Sequence, residues 1–284
     1  MSQADIGGLF LAACRAELAA LKPGNVHAHA GGHGMQMAQF EAAAAAAAPL
    51  IAASGLKVGE RIGRAVEASF VAAGCNTNLG ILLLCAPLAA AAEQTSPSGL
   101  RQRLRDVLND LDEGDAAAVF AAIRRASPGG LGSAPEQDVA AAPTAGLLEA
   151  MGLAADRDRI ARAYVTDYAE IFDFGLPVLA NARAQTSDPE LAVTTLHMAY
   201  LTYFPDSHIA RKHGTTVAEE VRAEARQRAP LWQPIAQCNT LPQLLEFDAD
   251  LKRRGLNPGT TADLVVATLF ASFVCDALGL SRAA

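Results

Sequence analysis

Nothing in the 284-residue chain favours a sheet, a disulfide scaffold or a membrane span. Alternating apolar and polar runs bounded by hairpin turns are scarce, so the pattern that a half-buried strand requires is missing. The five cysteines, Cys14, Cys75, Cys85, Cys238 and Cys275, are scattered and none stands in CxxC spacing. This excludes a disulfide framework and a cysteine zinc site, and makes a reducing cytoplasm the expected compartment. Aromatics are only 5% of residues, against 51% for all hydrophobic types. Such a core must be built from Ala and Leu, with helices packed closely by small side chains. The apolar runs 42–53 and 79–92 are punctuated by Pro49, Gly80 and Pro87 and fall short of the roughly 20 residues a span needs. With no basic segment ahead of Arg15, neither a signal peptide nor a membrane partner is expected. The net charge of −7 argues against a general nucleic-acid surface. No repeat of about 20–50 residues is present, which argues against a solenoid.

What is present is helical spacing. Apolar residues recur every three to four positions, which predicts an all-α fold with one compact multi-helix domain over residues 1–284. Helices are expected near 5–21, 37–53, 57–73, 77–93, 98–110, 115–125, 144–151, 156–183, 188–203, 205–211, 215–227, 241–254 and 261–278. The segment Ser127-Pro128-Gly129-Gly130-Leu131-Gly132-Ser133-Ala134-Pro135 is the least regular. Its glycines and prolines fit either a linker or a loop lining a pocket.

Four compact polar groups interrupt this pattern. They are Glu17 with Lys22-Pro23-Gly24-Asn25-Val26-His27, then Asn76-Thr77-Asn78, then Asp206-Ser207-His208-Ile209-Ala210-Arg211-Lys212, and Asn257-Pro258-Gly259-Thr260-Thr261-Ala262-Asp263. Each lies at the edge of an apolar helical stretch, as expected of one composite site assembled from distant segments. Acids, amides and cations in this mixture suit a charged, phosphorylated ligand.

Glu17 falls on the helix face of Ile6, Phe10, Ala13, Cys14 and Leu21, where an apolar residue is expected. It is therefore either a buried ion-pair partner of Lys22 or a metal-binding or acid–base glutamate beside a phosphate-binding lysine. His27, His29 and His33 match no strong zinc spacing. Asn76, Thr77 and Asn78 supply an N-cap, and one cap does not need three polar residues. The excess suits a sugar hydroxyl, a phosphate oxygen or a metal-bound water at a helix start. Asp206 and Ser207 are a helix-start signal, after which His208, Arg211 and Lys212 share one face. That face is either merely solvated or a phosphate clamp. Gly259 opens a further helix with Thr260 or Thr261 as cap, an oxyanion cradle against which an inward Asp263 could hold a divalent ion.

Taken in order, Glu17, Lys22-Pro23-Gly24-Asn25-Val26-His27, Asn76-Thr77-Asn78-Leu79-Gly80, Asp206-Ser207 with Arg211-Lys212-His213-Gly214, and Asn257-Pro258-Gly259 with Ala262-Asp263-Leu264 resemble the triphosphoribosyl-dephospho-coenzyme A synthase family. The resemblance spans nearly the whole chain. It implies an all-helical cytoplasmic enzyme that moves the triphosphoribosyl part of ATP onto the ribose 2′-hydroxyl of 3′-dephospho-coenzyme A, releases adenine and uses Mg2+. The implied partners are small-molecule nucleotides, and a homodimer is left open. Lyase-associated members carry His-Lys-Gly after Asn-Thr, whereas this chain has Asn78-Leu79-Gly80. Together with His27, Pro128-Gly129-Gly130 and Asp206-Ser207-His208-Ile209, this looks like a divergent branch found in archaea and one-carbon-metabolising bacteria. An acceptor from another cofactor precursor, and hydrolysis of a nucleotide N-glycosidic bond, are the alternatives. A nucleotide-binding protein without catalysis is a third.

The resemblance carries roles with it. Lys22, Arg211 and Lys212 are implied phosphate ligands, with Ser207, Gly259 and Thr260 at the helix starts. Asn25, Asn76, Thr77 and Asn78 are implied ligands of the sugar or phosphate. Glu17, Asp206 and Asp263 are implied in magnesium binding or proton transfer, and His27 in acid–base work, since its ordinary pKa lies near neutral pH.

Overall fold

The Ser2 hydroxyl accepts from the Asp5 N–H, and the Asp5 carboxylate accepts from the Ser2 N–H, so a capping box starts α1 (Gln3–Ala19). The same local chemistry recurs along the computed structural model, which describes residues 1–130, 136–233 and 241–280. After α1 come α2 (Met37–Ile51), α3 (Val58–Ala73), α4 (Leu79–Glu93), α5 (Leu100–Asn109), α6 (Glu113–Ala126), α7 (Leu147–Ala154) and α8 (Arg159–Val165). A π turn (Glu170–Gly175) leads into α9 (Leu176–Gln185), followed by α10 (Pro189–Tyr203), α11 (Ser207–His213) and α12 (Thr215–Gln227). A 3-10 turn (Ala229–Leu231), α13 (Leu241–Arg253) and α14 (Gly259–Leu278) complete the order. Among the described residues there is no strand, only isolated bridges at His27–Ala30 and Gly32–Met35.

α14 is the axis of the fold. Its 20 residues are apolar enough to cross a membrane by length and composition, yet 72% of its most apolar window is buried inside the protein. It packs against α1, α4 and α10, with Val265, Phe270 and Val274 fully enclosed. α4 is apolar all round and lies in the same core, as a helix without a polar face must. A second, smaller cluster joins α10, α12 and α13 through Met198, Val221, Trp232 and Phe247. Leu21 and Leu256, the neighbours of the first and last polar motifs, also belong to it. Buried Arg61 ties three helix ends together, donating to the carbonyls of Ile51 and Leu56 and to the Glu93 carboxylate.

The expected helix 156–183 is not continuous. α8 stops at Val165, Asp167 and Tyr168 take positive φ of 48° and 56°, and the chain resumes through the π turn. Left-handed backbone at two non-glycine residues is unfavourable, so the break needs a cause elsewhere. Pro87 in α4 has no N–H, which leaves the carbonyl four residues earlier, Leu83, without its helical donor. Tyr164 fills that vacancy, its hydroxyl donating to Leu83 O at 2.7 Å, and Tyr168 donates to Leu84 O at 3.2 Å. Both tyrosines are fully buried, so seating them on α4 outweighs helical continuity.

Cys14, Cys85 and Cys275 are buried free cysteines, and Cys75 is half-buried. Cys238 and residues 131–135 of the irregular loop lie outside the described residues. The described part of that loop, Pro128–Gly130 among it, lines the main cavity.

Candidate active site

The four polar motifs are brought together, and the Asn257–Asp263 motif is the hub on which the other three dock. Gly24, at φ +84°, packs so tightly on it that a Cβ would lie 2.7 Å from Pro258 Cδ. Beside it Asn25 donates to Asn257 Oδ1 at 2.8 Å, while its own Oδ1 accepts from the Val26 N–H and from Lys22. Asp206 caps two helices at once: Oδ1 accepts from Ile209 N–H at 3.0 Å in α11, and Oδ2 from Thr261 N–H and Oγ1 at 2.7 and 2.8 Å in α14. Ser207 adds a hydroxyl bond to Thr260 at 3.1 Å. Gly80, on the first turn of α4, is the contact from the second motif, where a Cβ would stand 2.0 Å from Asp263 Oδ2.

These contacts frame a cavity of about 1080 Å3, at the upper end of ligand-pocket sizes. Its wall includes ten of the residues singled out above: Glu17, Asn25, Asn76, Thr77, Ser207, Arg211, Lys212, Gly259, Thr260 and Asp263. The starts of α8, α11 and α14 give the wall a polar part. Phe40, Phe70 and Phe120 give the wall an apolar part.

Asp263 is the most unusual group in it. No described residue hydrogen-bonds its carboxylate. Burial, then the charges of Asp206 and Glu17, push its pKa well above the carboxylate range against the pull of Arg211. Glu17 faces the cavity too, and its Oε1 accepts a short bond from Lys22, which is fully buried. Burial pushes the Glu17 carboxyl up and the Lys22 ammonium down, while their mutual attraction opposes both shifts. The two roles weighed for Glu17 therefore coexist: it is a buried ion-pair partner and a wall residue. Lys212 is exposed and has no ion-pair partner among the described residues, whereas Arg211 donates to Gly129 O and stands 3.5 Å from Asp158.

Four expected site residues are placed off the wall. Lys22 lies behind Glu17. Asn78 faces α3, donating to Ser69 Oγ at 3.1 Å. Asp206 has both oxygens engaged by caps, so the expected triad Glu17, Asp206 and Asp263 does not form a three-carboxylate metal cage. No group of three His, Cys, Asp or Glu suited to a metal occurs among the described residues. His27 is buried against Asp248, with Nε2 at 3.3 Å from Oδ2, and its Nδ1 accepts from the His29 N–H. The proton therefore sits on Nε2 and points at Asp248. Burial holds the imidazole below its ordinary pKa despite that bond. Asp248 also receives Lys252 and the Gly24 N–H, so this pair fixes the loop that carries Asn25. His27→Gln, whose amide still donates to Asp248, is expected to keep kcat within about threefold in steady-state assays. A loss of about a hundredfold would return His27 to the reacting centre.

Two wall residues, Asp158 and Arg159, escaped the sequence, and His208, noted there only as sharing a face with Arg211 and Lys212, has a place of its own. Asp158 caps α8 through Ile160 and Ala161 N–H and faces Arg211. Arg159 is held by Glu170 and by Phe204, whose ring centroid lies 4.0 Å away. The Asp156-Arg157-Asp158-Arg159 run opens the helix expected from 156, and the structure starts α8 three residues later, with Asp158 as its cap. His208 abuts Gly259 and has an unpartnered Nε2. Burial and the nearby Lys212 and Arg211 charges hold its pKa down to about 3, so the ring is neutral.

The cavity of this all-helical protein thus sets one unpartnered carboxylate, Asp263, beside the cations Arg211 and Lys212 and the starts of three helices, an arrangement suited to a polyanionic ligand. The family model CitG, ATP:dephospho-CoA triphosphoribosyl transferase, matches residues 3–281, and the chain belongs to that family. It is thus a member of a transferase family of cofactor biosynthesis. A crystal structure from Archaeoglobus fulgidus, described as that of a triphosphoribosyl-dephospho-coA synthase, is similar with a TM-score of 0.63 and 25% identity. The similarity covers 81% of this chain and 96% of that one. No curated protein matches the chain.

Proposed function

We propose that the chain transfers the triphosphoribosyl group of ATP to a hydroxyl of dephospho-CoA with release of adenine, using Mg2+. The observation that carries this is Asp263, an unpartnered carboxylate raised by burial and two neighbouring acids, on a cavity whose polar rim bears Lys212 and Arg211. Such a cluster is unfavourable alone and favourable with a cation and a polyphosphate present. Magnesium takes one or two protein carboxylates plus phosphate oxygens, and Asp263 would supply the carboxylate. When bound, the ion neutralises triphosphate charge.

In the transfer, the ribose C1′ bond to adenine breaks and a bond from C1′ to the acceptor oxygen forms. The acceptor hydroxyl loses a proton and the departing adenine gains one. Glu17 takes the hydroxyl proton: burial raises its carboxyl above the ordinary value, which makes it a stronger base. Lys212 and Arg211, with the start of α14 at Gly259 and Thr260, hold the triphosphate. Positive charge that develops on the ribose is offset by the acids around C1′.

Incubation with ATP, Mg2+ and dephospho-CoA, followed by mass analysis, tests this. Adenine and a triphosphoribosylated adduct in equal amounts are expected. Adenine without adduct would mean hydrolysis, and adenine only with a different acceptor would keep the chemistry and reject dephospho-CoA.

A further inference from the structure

Thr77 carries a hydroxyl that the protein does not use. Its Oγ1 is sealed from solvent without a hydrogen-bond partner among the described residues, although Thr77 lines the cavity. A buried hydroxyl left unpaired is destabilising, so a ligand that completes it is favoured. Asn76, beside it, spends its side-chain oxygen on the Leu79 N–H at 3.3 Å. No described residue accepts from its amide nitrogen.

The surroundings of this pair are apolar. Phe70 and Leu79 share a recess with Asn76, and Phe40 and Phe120 continue the wall. Phe70 is itself fixed, since the Arg125 guanidinium lies 3.7 Å from its ring centroid and is held in turn by Glu67. A purine asks for this combination: apolar cover for its faces, and a donor for a ring nitrogen beside a group that pairs with the exocyclic substituent. The Asn76 amide supplies the donor. The Thr77 hydroxyl, able to donate or accept, pairs with the substituent.

We infer that residues 74–77, with Phe70, form a purine-base subsite whose edge is read by Asn76 and Thr77. It depends on the proposed transfer only for the identity of the nucleotides, ATP and dephospho-CoA, either of which brings an adenine. From this subsite the chain leads directly to Gly80 and the Asp263 contact, so the base site adjoins the acidic centre on one cavity wall.

Cys75, half-buried on the same wall, is a built-in reporter. Alkylation at Cys75, followed by peptide mass mapping of the full chain, is expected to slow by about fivefold or more with an adenosine nucleotide and not with CTP. Protection by ATP alone assigns the donor's base, and protection by dephospho-CoA alone assigns the acceptor's. Thr77→Val preserves shape, and Asn76→Asp preserves the oxygen that caps α4. Each is expected to weaken binding of the protecting nucleotide about tenfold by calorimetry. Thr77→Val should leave the thermal midpoint unchanged or higher, which a merely structural threonine would not. Wild-type affinity in both variants, protection by neither nucleotide, or equal protection by CTP overturns the subsite. None of these readouts needs turnover. A protein that binds and is protected yet forms no adduct refutes the transfer alone, and variants of wild-type affinity in an active enzyme refute the subsite alone.

Discussion

Asp263→Asn is expected to lower kcat for adenine release by about a thousandfold or more while making the protein more stable in metal-free buffer. The loss follows from removing the carboxylate that stands ready for a cation and faces charge developing on the ribose. The gain follows from its environment: burial and the charges of Asp206 and Glu17 oppose ionisation. Because the folded pKa lies above the unfolded value near 4, this group's contribution is fully present below that value and is lost as pH rises through the folded pKa. Wild-type stability should therefore decline through that interval, and the Asn variant should show a flatter profile. At neutral pH a gain of about 1 kcal/mol, roughly 2–4 °C in Tm, is expected. Stabilisation by Mg2+ with ATP, read by thermal shift, should shrink in the variant. Retention of full kcat would remove Asp263 from the reaction.

Opposite effects on activity and stability are also the physical reason this site showed in the sequence. A carboxylate on an apolar helix face, as at Glu17, or in the first turn of a buried helix, as at Asp263, breaks the pattern that the rest of the chain obeys. Such breaks are visible without coordinates. What each polar residue faces is not. His27 and Asp206 share motifs with wall residues, yet Asp248 and the Thr261 N–H claim them, and those partners lie 221 and 55 positions away in the chain. No local spacing encodes such pairings, so the acid–base role that the resemblance implies for His27 is read without sight of its partner Asp248.

The fold divided in the same way. All-helical character, and the stretches that became α2, α3, α10 and α12, followed from apolar spacing and caps. The break after Val165 did not, because Val165-Thr166-Asp167-Tyr168 contains neither glycine nor proline. Its origin is Pro87, which frees a carbonyl on α4 for Tyr164 to take. Asp158 escapes for a separate reason: the expected helix starts at 156, which places the true cap of α8 in the first turn instead of ahead of it.

Gly80→Ala is expected to cut kcat/KM by about a hundredfold or more with little change in stability. In an exposed helix this substitution is favourable by up to about 1 kcal/mol. Here the added Cβ would stand 2.0 Å from Asp263 Oδ2, 2.5 Å from its Cγ and 2.8 Å from Ile160 Cδ1. Overpacking costs about 1–3 kcal/mol, so the two effects largely offset each other. The carboxylate, however, must leave its position, and a displacement of about 1 Å at a reacting centre is enough for a hundredfold loss. Gly63→Ala is the matched control, because a Cβ there meets only Ala118 O at 4.0 Å, and its activity should be unchanged. The double variant Gly80→Ala with Asp263→Ala separates displacement from general damage. If the alanine acts by pushing the carboxylate, its stability cost should shrink once the carboxylate is gone, giving a coupling of about 1 kcal/mol in a double-mutant cycle. Additive stabilities, or an active Gly80→Ala enzyme, would mean that α4 does not set the position of Asp263.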